Sequence, residues 1–96
     1  GKPLYRKTIN FGALTNASEK KVAHNISNIN FITNVYGTSF QDTGYRNCFP
    51  LPFASSAADA SMYVYANAEY VIVGTGKDRT GFTTTYITIE YTKTTD

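Results

Sequence analysis

The sequence predicts an all-β domain, built as an antiparallel β-sandwich or jelly roll. Aromatic and β-branched residues dominate its apolar side chains, with eight tyrosines and six phenylalanines but only three leucines. Such residues favour strands. Short alternating runs are separated by Gly, Asn, Ser and Thr, which is typical of antiparallel strands joined by turns. The 96 residues suffice for one domain with one core.

The first predicted strand shows the alternation most clearly. Tyr5, Lys7, Ile9 and Phe11 fall on one face, and the polar residues between them fall on the other. Comparable runs, bounded by turn residues, recur along the chain. The predicted strands cover residues 4–11, 20–26, 29–40, 45–53, 61–66, 69–73 and 83–93.

Glycine and proline are expected to make two of these strands irregular or to restrict their position in the sheet. Gly37 interrupts the long third strand and predicts a bulge or bend there. Pro50 and Pro52 confine the fourth strand to a sheet edge or to an irregular stretch, because proline cannot donate a ladder hydrogen bond. Residues 54–60 and 74–81 are predicted loops, and Asn67 with Ala68 forms a two-residue turn.

Some strands are apolar on both faces, whereas a half-buried strand should alternate. Tyr63, Tyr65 and Tyr86 occupy the second face and are predicted to lie in an interface with another subunit. The alternative is that these tyrosines simply face water, since any protein surface is partly apolar. The two-faced segments are residues 62–65, 70–73 and 86–91.

Charge and composition exclude several classes of protein. The net charge is +2 and the basic residues are scattered, which argues against a nucleic-acid-binding domain. No apolar run approaches the roughly 20 residues of a membrane span, so membrane insertion is not expected. The start of the chain lacks the apolar segment of a signal peptide.

Candidate catalytic groups are few, and we expect neither enzymatic activity nor a cofactor. His24 and Cys48 are the single histidine and the single cysteine, which excludes an intrachain disulfide and a zinc site within one chain. His24 is predicted to be structural, and Cys48 is predicted to be a buried, inert thiol. The acidic residues are dispersed along the chain. Residues 74–77 do not form a phosphate-binding loop, because Asp78 stands where that motif has Ser or Thr and the next predicted element is a strand rather than a helix.

Six segments, in this order and spacing, resemble the C-terminal tip domain of phage tail fibres and tailspikes. They are residues 5–12, 21–29, 35–37, 50–53, 75–80 and 86–94. The resemblance covers nearly the whole chain and implies that residues 1–96 are a single C-terminal β domain of a longer fibre-type protein. It further implies a homotrimer on the virion that binds a host surface receptor. Asn25 stands where glycine is expected, and asparagine tolerates the positive φ that such a glycine supplies.

Three functions remain open at this point. The first is a receptor-binding tip that recognises a host cell-surface glycan, and the second is a purely structural trimerisation cap. The third is a monomeric carbohydrate-binding module, since exposed tyrosine with Asn, Ser and Thr suits a sugar-binding patch. The mass in solution separates the third from the others, and binding to host cells separates the first from the second.

Receptor contact is predicted on loops, because strands are committed to their sheets. The favoured site has Tyr45 as an apolar platform beside hydrogen-bonding side chains. Its members are Gln41, Asp42, Tyr45, Arg46 and Asn47.

The second loop candidate, residues 74–82, offers Lys77, Asp78, Arg79 and Phe82. Asp78 and Arg79 are expected to be structural, forming ion pairs that fix this loop or bridge subunits. The loop at residues 54–60 and the clefts between subunits are further alternatives.

Overall fold

A computed structural model describes residues 3–42, 44, 46–54 and 61–94. These residues form seven strands and no helix. The all-β class is therefore confirmed. No helix that could cross a membrane occurs within those ranges. The strands are β1 (Tyr5–Asn10), β2 (Glu19–Ala23), β3 (Ile29–Gln41), β4 (Cys48–Leu51), β5 (Met62–Ala66), β6 (Tyr70–Thr75) and β7 (Phe82–Lys93).

The strands pair antiparallel in two sheets. The four-stranded sheet has the order β1-β7-β3-β4, and the three-stranded sheet has the order β2-β6-β5. Each of the seven strands lies within a segment predicted from alternation or overlaps it closely. The largest differences are at β2, which ends before His24, and at β4, which is shorter than the predicted 45–53.

Buried side chains from both sheets meet in one hydrophobic core. Ile87 and Ile89 of β7 and Val71 and Val73 of β6 are at most 1% exposed. Full burial of a side chain of this size stabilises the fold by about 1.5–3 kcal/mol. We call the core-facing side of each sheet its inner face and the other side its outer face.

The prediction of a bulge at Gly37 is wrong. The ladder is regular there, with Gly37 opposite Leu51 on one side and Ile87 on the other, and the register shifts lie elsewhere in β3. A Cβ at Gly37 would collide with the backbone carbonyl of Tyr86 and with the Ile87 side chain. Close packing against β7 therefore explains this glycine.

The fourth strand lies at the edge of its sheet, as its prolines predicted. Cys48, however, is exposed, so the prediction of a buried thiol is wrong. Alternation along β4 directs Phe49 and Leu51 inward, and it therefore turns Cys48 and Pro50 outward.

Two asparagines take the left-handed backbone conformation in the segment between β2 and β3. Asn25 has a φ of 57° and Asn28 a φ of 61°. The positive φ expected at Asn25 is confirmed, and it suits asparagine better than most residues.

Replacing Gly37 by alanine should destabilise the protein by about 1–3 kcal/mol, because the added methyl group has no space beside the β7 backbone. Gly81→Ala is the matched control, since nothing lies within 4 Å of the position of its Cβ, and its effect should stay within about 0.5 kcal/mol. Urea unfolding of both variants measures the difference. Equal stability of the two would contradict the packing argument.

Candidate functional site on the outer face of the three-stranded sheet

The favoured loop site lies in the β3–β4 connection. The backbone N–H of Gln41 donates to the carbonyl of Asn47 at 2.9 Å and closes this loop. Asp42, Arg46 and Asn47 are exposed, and Arg46 has a φ of 54°. Tyr45, the predicted platform, lies outside the described residues, so this site stays a prediction.

In the second loop candidate, Asp78 and Arg79 have separate partners. The Asp78 carboxylate accepts hydrogen bonds from the backbone N–H of Thr80 at 3.0 Å and from its hydroxyl at 2.7 Å. These bonds, the backbone one first, lower the pKa of the Asp78 carboxyl. The Asp78 carboxylate is thus engaged in a local turn, and the ion pairs expected of Asp78 and Arg79 stay a prediction.

Arg79 is buried among three aromatic rings. Its guanidinium carbon lies 5.4, 5.9 and 5.6 Å from the ring centroids of Phe49, Phe53 and Phe82. Such contacts combine apolar packing with cation–π attraction. Phe82, a candidate receptor contact in this loop, is itself a buried core residue. Of the four side chains named for this loop candidate, Lys77 and Asp78 are exposed, whereas Arg79 and Phe82 are buried.

His24 is buried and hydrogen-bonded through both ring nitrogens, as expected of a structural histidine. Nδ1 accepts from the N–H of Ile26 at 3.1 Å, which leaves Nε2 as the donor to the carbonyl of Asn67 at 2.9 Å. The side-chain oxygen of Asn67 accepts from the N–H groups of Glu69 and Tyr70. His24 thereby holds the turn that joins β5 to β6.

The described residues instead place two tyrosines side by side on the outer face of β5. Met62 and Val64 point inward, so alternation turns Tyr63 and Tyr65 outward, where they are 47% and 45% exposed. Their rings lie nearly parallel, with centroids 6.1 Å apart and an interplanar angle of 15°. Together they form an exposed aromatic surface, which we call the tyrosine platform.

Gly74 and Glu19 fix the position of Tyr63. Gly74 lies opposite Tyr63 in the ladder, and the Tyr63 ring occupies the space that a Cβ of residue 74 would fill. The Tyr63 hydroxyl donates a hydrogen bond to the Glu19 carboxylate on the far side of β6. This bond raises the pKa of the Tyr63 hydroxyl, with smaller contributions from desolvation and from the charge of Glu19.

Beside the platform lies a cleft of about 520 Å³. Residues paired across the three strands form rows on this outer face. In one such row, Ile72 of β6 lies between Tyr65 of β5 and Lys21 of β2. The Lys21 ammonium nitrogen is 4.5 Å from the centroid of the Tyr70 ring. The cleft is lined by Glu19, Lys20, Lys21, Tyr65, Asn67, Tyr70 and Ile72. Four of these seven residues are charged or polar, so the cleft offers ionic and hydrogen-bonding groups beside two aromatic rings.

The sequence indicated only part of this site. Alternation in the sequence places Tyr63 and Tyr65 on the face opposite Met62 and Val64. Their expected place in a subunit interface, together with Tyr86, stays a prediction. Tyr86 lies on the outer face of the other sheet, 41% exposed and packed edge-on against Phe40. The available signal was a pair of tyrosines two residues apart, followed one strand later by a glycine at position 74.

No known protein family, curated protein or solved structure matches this chain. Within the described ranges, no group of three or more His, Cys, Asp or Glu side chains is arranged to hold a metal ion.

Glu19→Gln should lower the pKa of Tyr63 toward the ordinary tyrosine value of about 10, because it removes the carboxylate that accepts the hydrogen bond. The raised pKa means that the bond stabilises the fold at neutral pH, and that this contribution is lost as the pH rises through the pKa of Tyr63. NMR titration of protein with labelled tyrosine rings measures the shift. Glu69→Gln, which changes an exposed acid in the turn between β5 and β6, is the control, and an unchanged Tyr63 pKa in Glu19→Gln would refute the assignment.

Proposed function

We propose that this chain is a non-enzymatic binding domain that recognises a host cell-surface glycan through the tyrosine platform. The observation that carries the proposal is the pair of exposed, nearly parallel rings of Tyr63 and Tyr65. They lie on a sheet rather than on a flexible loop. Aromatic rings held in this way give a large contact area at low cost in conformational entropy.

The chemistry around the rings suits a sugar. A pyranose ring presents C–H groups on its face and hydroxyls around its edge, so it requires a flat apolar surface with polar groups beside it. The rings of Tyr63 and Tyr65 provide the surface, and Glu19, Lys21 and Asn67 provide hydrogen-bonding groups at the margin. His24 has both ring nitrogens engaged, which supports binding without catalysis.

The wider setting rests on the resemblance to phage fibre tips, which covers nearly the whole chain. We propose that the domain is a β-sandwich at the tip of a tail fibre or tailspike on the virion, assembled as a homotrimer. The core shared by the two sheets supports the sandwich. Leu4 and Phe31, which are 57% and 67% exposed, support coverage by neighbouring subunits. A weak glycan site gains strength from threefold repetition.

Tyr65→Ala should weaken glycan and host-cell binding by about 1–3 kcal/mol per site, by analogy with aromatic residues at protein interfaces. Tyr86→Ala, which removes a similarly exposed ring from the other sheet, should bind as the parent does. Binding of both proteins to host-envelope glycans is measured after circular dichroism and mass have shown an unchanged fold and assembly. If Tyr65→Ala binds undiminished, the platform is not the receptor site.

Light scattering at micromolar concentration should report about three times the chain mass of 10.6 kDa. A trimer that binds no host surface would favour the structural cap. A monomer that binds glycan would favour the carbohydrate-binding module and would contradict the proposed assembly.

A further inference from the structure

The cleft beside the tyrosine platform is electrostatically asymmetric. Glu19 lies opposite Gly74, and Lys21 lies two residues further along β2, opposite Ile72. Two residues of a strand span about 7 Å. A carboxylate and an ammonium group therefore lie on adjacent rows of one surface, with the Tyr65 ring in the row of Lys21.

The charged groups at the cleft differ in whether they already have hydrogen-bond partners within the domain. The Glu19 carboxylate accepts the hydroxyl of Tyr63. The Lys20 ammonium donates to the backbone carbonyls of Phe11 and Ala13, at 3.1 and 3.0 Å. Glu19 and Lys20 are thus both engaged within the domain.

Lys21 is the exception among these groups. Its ammonium lies over the Tyr70 ring and neither donates a hydrogen bond nor pairs with a carboxylate anywhere in the described part of the chain. The residue is exposed. An ammonium group carries three donors, and a ring face satisfies them poorly compared with an anionic oxygen. The row that contains Tyr65 therefore ends in a positive charge that is available to a ligand.

We propose that this cleft takes an acidic saccharide, with the ligand carboxylate at Lys21 and the sugar ring over Tyr65. This inference rests on the proposed function and specifies its ligand class. A uronic acid carries a carboxylate on one edge of its ring and hydroxyls on the opposite edge. The hydroxyls can donate to Glu19, which would repel the carboxylate, so the two charged residues select one orientation.

The test uses a panel of immobilised uronic-acid oligosaccharides, each paired with its carboxyl-reduced neutral form. The domain should bind the acidic member about two- to fivefold more tightly at low salt, the range expected of one exposed ion pair. This preference should fade as salt is added. Lys21→Gln should bind both members equally, at the level of the neutral form. Lys77→Gln, which removes an exposed lysine from the β6–β7 loop, should keep the preference.

The outcomes separate this inference from the proposed function. If the parent domain binds both members equally and Tyr65→Ala weakens both, the acidic preference is wrong and the platform stands. If Lys21→Gln still prefers the acidic member of a pair, the ligand carboxylate does not bind at Lys21 and the inference is wrong. If no pair binds while host-envelope glycans still do, the acidic-saccharide inference fails and the proposed function stands. If Tyr65→Ala leaves binding to host-envelope glycans unchanged, the proposed function fails and the inference fails with it.

Discussion

The core shared by the two sheets is the constraint on which the rest of the domain depends. Val71 and Val73 lie in one core with Ile87 and Ile89, and all four are almost completely buried. Since strand side chains alternate, a shift of one residue would turn these four outward. The same register decides which side chains face solvent, because burying Val73 inward requires that Ile72 and Gly74 lie on the outer face.

The tyrosine platform follows from that register and from one glycine. A strand glycine usually weakens a sheet, and an aromatic ring from the neighbouring strand can cover it. Tyr63 does so at Gly74 and is held at its far end by Glu19. His24 stabilises the adjoining turn through Asn67, so both ends of β5 are restrained near the site. In the proposed function, this arrangement gives a surface that is largely formed before a ligand arrives, which limits the entropy lost on binding.

Local patterns predicted the strands well because alternation, proline and turn residues act over a few neighbouring positions. They failed where the answer depended on a distant strand. Gly37 is required by the Tyr86 carbonyl across the ladder rather than by a bulge. Cys48 is exposed because β4 places Phe49 inward. Cys48 and Phe49 are both apolar, so hydrophobicity alone did not determine which of the two faces the core. Alternation separated Tyr63 from the core residue Met62, but its partner Glu19 lies two strands away and carries no local signal.

The central claim is that ligand binds the outer face of the three-stranded sheet rather than the β3–β4 loop. The most direct measurement is NMR mapping of backbone and tyrosine ring signals as a host-envelope glycan is titrated into the labelled domain. The account predicts that the largest shifts occur at Tyr63, Tyr65 and their neighbours on β2 and β6. Shifts concentrated at residues 41–47, with the platform signals unmoved, would contradict it.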